Sequence, residues 1–248
     1  MDGRDDIRDR NRDAWNAGRH QAWVDALGAP AEAAAAIAAD PAKVARRIAP
    51  HLGPIAGQRI ASVQGSHGRI AVALALMGAA ATVFDFAEEN RRYALDLAAA
   101  AGVPLDYRVG DVMAAGGPGL DQAFDAVVME LGILHYHQDL AAFFAVMKRL
   151  AAPGGRLVLC EFHPVERKLY WAGRGTAPDY FATDLVVADV PNPTGSDERL
   201  GQCAYRFWTL GEIVSAVIAA GFRLTSLEEH PDWTDPTIPG TFTLTAVA

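Results

Sequence analysis

Three features of the sequence predict an α/β fold, a mostly parallel sheet wound with helices on both faces. Short apolar runs alternate with helical segments at regular spacing from Ile60 to Cys160, the pattern of parallel strands joined by right-handed crossovers. The first run, Ile60 to Val63, stops at a turn carrying Gly65 and Gly68, and a second, Thr82 to Phe84, ends in Asp85, twenty residues beyond Gly65. Strand, glycine turn, helix, strand and acid make the layout of a nucleotide-type site, in which the carboxylate accepts from both ribose hydroxyls. Third, Phe124 to Met129 is apolar along most of its length, as a strand covered on both faces must be.

The bounds agree. A chain of 248 residues with a hydrophobic fraction of 51% suits one α/β domain with additions. A formal net charge of −8 argues against nucleic acid as a partner, since phosphate neutralisation needs a dense basic patch. The Arg-rich opening (Arg4, Arg8, Arg10, Arg12) is interleaved with Asp2, Asp5, Asp6, Asp9 and Asp13, which reads as a solvated helix face or a frayed terminus rather than a binding arm. The two cysteines, Cys160 and Cys203, have no metal-ligand spacing, so no metal and no disulfide framework is expected and a cytoplasmic location is. The charged opening has no signal-peptide pattern, and no run reaches membrane-spanning length.

Residues 5 to 51 read as helical, divided by Pro30 and Pro41, with Asp40 as an N-cap ahead of proline at the first helical position. Trp15 and Trp23 lie on these helices; they dock the segment on the domain or form a lid over a ligand. Residues 1–52 thus form a helical cap, a lid or a dimer interface, and residues 53–248 the main domain. In that domain Arg69 to Met77 is a helix closed by Gly78. Glu88 to Ala101 is a second, with acids in the first turn where the helix dipole favours them. Leu105 to Val109 is a third strand, ended by Gly110-Asp111-Val112. Phe124 to Met129 is the fourth, followed by Glu130-Leu-Gly-Ile-Leu-His-Tyr-His137. Leu140 to Ala151 is a helix stopped by Pro153-Gly154-Gly155, and Arg156 to Cys160 is the fifth strand, leading to Glu161-Phe-His-Pro164. Residues 164–206, rich in aromatics, proline and glycine, break the rhythm and predict an insertion above the sheet's carboxyl edge. A helix from Leu210 to Ala220, capped by Thr209, and two strands near Arg223 to Glu229 and Thr241 to Val247 complete the chain. The link between those strands is too short for a helical crossover, so they should be antiparallel.

From Gln58 onward the sequence resembles a class I S-adenosylmethionine (SAM) dependent methyltransferase. Val-Gln-Gly-Ser-His-Gly stands at the glycine-rich first motif, Asp85 at the ribose-binding acid, and Gly110-Asp111-Val112 at the adenine-binding acid. Leu150 to Leu157 matches the turn before strand five, and Phe222 to His230 with Pro239 to Ala248 looks like the family's closing pair of strands. Two departures stand out. Gln64 precedes Gly65 where the family usually has an acid, and Ser66-His67 replaces a glycine-rich centre. Glu130-Leu-Gly-Ile also replaces the Asn/Asp-Pro-Pro-Tyr common in members that methylate nucleic-acid bases or amides, which argues against base methylation.

The resemblance implies a Rossmann-like seven-stranded sheet in order 3-2-1-4-5-7-6, the last strand antiparallel. It implies methyl transfer from SAM, with S-adenosylhomocysteine (SAH) as product, to a small molecule, often a natural product. Asp85 should take the ribose, Phe86 and Val112 the adenine ring, and Asp111 its amino group. Gln64, Gly65, Ser66, Glu130 and Leu131 should surround the methionyl part, and Trp15 and Asn90 complete the expected cofactor set. Methyl transfer is an in-line displacement in which alignment and exclusion of water are the protein's main work.

His135, just past strand four, fits a general base or a packed ring. Glu161 and His163, past strand five, fit a second polar pair at the pocket or a structural bond. Tyr136, Tyr170, Trp171 and Trp208 are expected substrate contacts, with Tyr205 and Phe207 beside them, which points to an aromatic, indole-like acceptor. Two rivals remain: a nicotinamide-dependent oxidoreductase, for which Gly-x-x-Gly is an incomplete fingerprint, and a SAM-binding module without catalysis. The apolar N-terminal helices leave a homo-oligomer open.

Overall fold

Alternation along the central strands divides the interior into two layers. In the computed structural model, which describes residues 3–171 and 177–248, strand β4 (Phe124–Glu130) sends Ala126 and Val128 to one face and Val127 and Met129 to the other. The second pair packs on α7 (Leu140–Leu150), through Phe143, Phe144 and Met147, and on α8 (Leu210–Ala219), through Ile213 and Val217. The first pair meets α3 (Pro30–Ala39), α5 (Arg69–Leu76) and α6 (Glu88–Ala101), through Ile37, Val72, Leu74, Tyr93 and Leu97. Truncating a fully buried ring such as Phe143 to alanine in such a layer costs about 3–5 kcal/mol.

Strands β1 (Arg59–Val63), β2 (Ala80–Asp85) and β3 (Asp106–Val109) lie to one side of β4, and β5 (Ala151–Phe162) to the other. The last two strands of the sheet, β8 (Arg223–Pro231) and β9 (Pro239–Val247), give the order β3-β2-β1-β4-β5-β9-β8. Counting only the strands of this sheet, that is 3-2-1-4-5-7-6, as the resemblance implied. β9 pairs antiparallel with both β5 and β8, with Arg156 opposite Val247 and Phe162 opposite Thr241. The order reverses between β1 and β4, which opens a crevice at their carboxyl ends.

Between β5 and α8 the chain forms a wide helical turn, Glu166–Tyr170, and a separate two-stranded ribbon of β6 (Val186–Asp189) and β7 (Gln202–Tyr205). No strand was expected in the insertion, whose residues 172–176 lie outside the described residues. The ribbon is held by α1 (Gly3–Trp15): Asn11 Nδ2 donates to the Ala204 carbonyl at 3.2 Å and Asn11 Oδ1 accepts from the Ala204 amide at 2.8 Å. Lys168, 3% exposed, fastens the other side by donating to the carbonyls of Ala182 and Phe207. Helices α1 and α2 (Arg19–Leu27) and the ribbon thus sit together at the sheet's carboxyl edge.

Candidate active site

The turn after β1 is built on unusual backbone. Gln64 (φ 49°) and Ser66 (φ 47°) are both left-handed, a conformation that costs a non-glycine residue about 1 kcal/mol or more. The Ser66 amide is held by Asp85 Oδ2 at 3.0 Å, and the Gly68 amide by the Gly65 carbonyl at 2.9 Å. Gly65 is obligatory here: a Cβ would stand 2.6 Å from Ser62 Oγ and 3.0 Å from Val83 Cγ1. Gly68 (φ 74°) starts α5 and lets it approach α6, where a Cβ would fall 2.7 Å from that of Ala94.

Asp85, 4% exposed, ends β2. Its Oδ1 accepts from the Ala87 amide at 2.9 Å and from Asn90 Nδ2 at 3.3 Å. Burial raises its pKa, and these N–H donors, with Ser66, pull the other way. The carboxylate is therefore fixed in direction, facing two adjoining cavities that share Gln64, Asp85, Phe86 and Tyr136 as walls.

The larger cavity, about 550 Å³, has Asp111, Val112 and Met113 on its floor and Ile7, Arg8 and Asn11 of α1 above. Asp111 accepts from the Met113 amide at 2.9 Å and pairs with Arg8 at 3.4 Å. The smaller, about 180 Å³, lies over the glycine turn between Glu130 and Leu131 and the indoles of Trp15 and Trp23. Glu130, whose pKa is raised by burial, is paired with Arg47 at 3.3 Å. Two buried atoms of the turn, Ser66 Oγ and His67 Nδ1, have no hydrogen-bond partner. A polar, doubly charged methionyl group supplies partners for such atoms, and the larger cavity suits a nucleoside, so the residues present fit SAM.

The expected cofactor residues Trp15, Gln64, Gly65, Ser66, Asp85, Phe86, Asn90, Asp111, Val112, Glu130 and Leu131 all line one cavity or both. Gln64, expected to take an amino group, has its Oε1 2.8 Å from His137 Nε2. His137 packs on Phe143, and burial lowers its pKa to about 3.

The three expected catalytic residues are placed elsewhere. His135 lies in a small crevice with Phe207 and Trp208, packed on Tyr136 and Tyr205, and burial lowers its pKa to about 3. Glu161 is a structural anchor. Its two oxygens accept from the amides of Gly132 (2.6 Å), Ile133 (2.7 Å), Leu134 (3.1 Å) and Phe162 (2.7 Å). His163, 2% exposed, has Nε2 2.8 Å from Glu229 on β8 and accepts from the Val165 amide. Desolvation pushes its pKa down and Glu229 opposes this.

Of the expected substrate contacts, Tyr136 lines both cavities. Trp171 packs edge-on against Phe207, Trp208 donates to the Leu134 carbonyl at 3.1 Å, and Tyr170 is 56% exposed, so none of these three lines a main cavity. Sequence reasoning did not find Arg47, His67 or the His137–Gln64 link. Each pairs residues far apart in the chain, and only the spacing of Trp15 and Trp23 on the cap hinted at a roof.

Sheet order, glycine turn and the Asp85 and Asp111 positions define the class I SAM-dependent methyltransferase architecture. Residues 62–159 match the family model described as a methyltransferase domain. The ubiquinone biosynthesis O-methyltransferase of Methylobacterium sp. (strain 4-46) is 34% identical over 184 residues, 72% of this chain and 66% of that protein. The protein of the same name from Rhizobium johnstonii is 24% identical over 172 residues, 69% of this chain. This chain spans less than two thirds of the length of the Rhizobium protein, 62%. Among solved structures, a SAM-dependent methyltransferase from Mesorhizobium loti superposes with a TM-score of 0.62 at 20% identity, over 80% of this chain and 96% of that one. The magnesium protoporphyrin IX methyltransferase of Synechocystis PCC 6803, solved with bound SAH, gives 0.59 at 18% identity, over 96% and 97%. Residues 62–159 are a methyltransferase domain, and the chain has the fold of the class I SAM-dependent methyltransferases.

Proposed function

We propose that the protein transfers a methyl group from SAM to an oxygen of a small, aromatic molecule. The observation that carries this reading is the fixed Asp85 carboxylate shared by a nucleoside-sized cavity and a smaller one over the glycine turn. Relatives named as O-methyltransferases of ubiquinone biosynthesis support an oxygen acceptor and a quinone-type or related ring.

Bound SAM would supply a methyl group already activated on a sulfonium. Asp85 would take the ribose hydroxyls, Phe86 and Val112 the adenine ring, and Asp111 its amino group. Glu130 would attract the ammonium, and the Ser66 and His67 atoms would meet the rest of the methionyl part. Trp15 and Trp23 close the roof and exclude water. The two histidines nearest the expected acceptor position, His135 and His137, are weak bases with pKa values of about 3. That favours an acceptor whose oxygen is acidic enough to arrive ionised.

The dinucleotide reading is disfavoured by the antiparallel β9 and the left-handed Gln64 and Ser66 in place of a full glycine fingerprint. Calorimetric titration of the protein with SAH, alongside NADH, tests the assignment. Micromolar SAH binding, lost in Asp85→Ala and absent for NADH, is expected. SAH binding indifferent to Asp85 would refute it.

A further inference from the structure

Arg19, the first residue of α2, is 0% exposed. Its guanidinium lies over the Trp15 ring, 4.5 Å from the centroid, and Nη1 donates to the Pro191 carbonyl at 3.1 Å. Nε and Nη2 are buried with no hydrogen-bond partner. Trp15 Nε1 and Tyr205 Oη are instead turned to the Tyr136 hydroxyl. These atoms belong to one cluster: Trp15 meets Tyr136 edge-on at 6.1 Å, and Tyr136 meets Tyr205 at 5.5 Å. Trp15 and Tyr136 form its boundary with the smaller cavity.

Guanidinium nitrogens donate only, so Arg19 Nε and Nη2 are donors in want of an acceptor. Its charge is also unbalanced. Arg19 forms no ion pair among the described residues, and the one carboxylate whose field reaches it, Glu89, accepts from the His20 amide at 3.0 Å. Arg167, another partly buried cation near Tyr136 and Tyr205, is paired with Glu166 at 3.1 Å, while Glu161 is occupied by amides. A buried cation with unpaired donors is costly unless an anion completes it.

We infer that Arg19, seated on the Trp15 ring, forms a substrate subsite for an anionic oxygen, a carboxylate or an ionised acidic phenol or enol, beside the smaller cavity. The inference rests on the methyltransferase reading and narrows its substrate to acids. Arg19 binds the charge, Trp15 supports the guanidinium from below, and the Tyr136 and Tyr205 rings wall the group.

The test is calorimetric titration of SAH-saturated full-length protein with two pairs of probes, benzoate against benzamide and 4-nitrophenolate against 4-nitroanisole. At least one anion should bind about tenfold or more tighter than its neutral partner, and which pair discriminates tells carboxylate from phenolate. Arg19→Gln should abolish the preference while SAH affinity stays within about threefold, and Arg19→Lys, which keeps the charge, should retain part of it. Equal binding of anion and neutral probe, or discrimination that survives Arg19→Gln, overturns the subsite and leaves the SAH site standing. So does a crystal structure soaked with the anion in which ordered water alone meets Arg19 Nε and Nη2. Failure of the wild type to bind SAH at all overturns the methyltransferase reading, and the subsite with it.

Discussion

The Trp23 indole lies flat on the His67 imidazole, ring centroids 4.3 Å apart and planes 13° from parallel. Its Nε1 donates to Asn90 Oδ1 at 2.8 Å, and Asn90 in turn donates to Asp85 at 3.3 Å. One residue of α2 thus braces both the glycine turn and the buried Asp85 carboxylate. Trp23→Ala should weaken SAH binding by about tenfold or more, the loss of a stacked roof and a hydrogen bond. The same change should let the His67 pKa, held at about 4 by burial, return toward 6.5. Calorimetry reads the first effect and NMR titration of His67 the second; an unmoved His67 would contradict the stack.

Glu161→Gln should lower stability by about 2–4 kcal/mol, because an amide replaces one oxygen of a carboxylate that accepts from four backbone N–H groups. Thermal melts measure it. If Glu161 were instead a base, the variant would keep the wild-type melting temperature and lose only turnover.

Gly65→Ala forces a methyl group against Ser62 and Val83. A loss of about 1–3 kcal/mol is expected from such overpacking, together with weaker SAH binding. Adding Ser62→Ala removes the 2.6 Å contact with the hydroxyl and should recover part of the stability in denaturant titrations.

Acid should unfold the protein earlier than its carboxylates alone would suggest. His67, His135 and His137 have folded pKa values of about 4, 3 and 3, below the ordinary 6.5. As pH falls through 6.5 the unfolded chain takes up protons that the folded one refuses, so stability is full above about pH 7 and declines toward pH 4. Each histidine contributes at most about 1.4 kcal/mol per pH unit, reduced because all three are partly exposed. Asp85 and Glu130, with raised pKa values, offset a share. Melting temperature should drop between pH 7 and pH 5, and replacing any of the three by glutamine should flatten the drop.

The sheet was legible because each β-strand and helix carries its own local signal. Val-Gln-Gly-Ser-His-Gly, the acid at Asp85 and Gly110-Asp111 mark strand ends by glycine conformation and by spacing. The chemistry past β4 was not legible. Glu161 and His135 have the residue types of an acid–base pair, yet Glu161 faces amides 27 to 29 positions earlier, and His135 is wrapped by Tyr205 of the insertion and Phe207 just past it. No periodicity encodes such long-range pairing. The β6–β7 ribbon was hidden for a related reason: its strands are four residues each and take their register from one another and from Asn11.

The antiparallel seating of β9 imposes an order on biosynthesis. Residues 156–162 of β5 receive their outer partner only from residues 241–247, so a ribosome-bound chain carries an open, apolar sheet edge while the intervening segments are made. Such an edge invites pairing with other nascent chains. Closure of the sheet therefore waits for β9 to be made, and chaperone dependence during synthesis should track how long β5 stands without it.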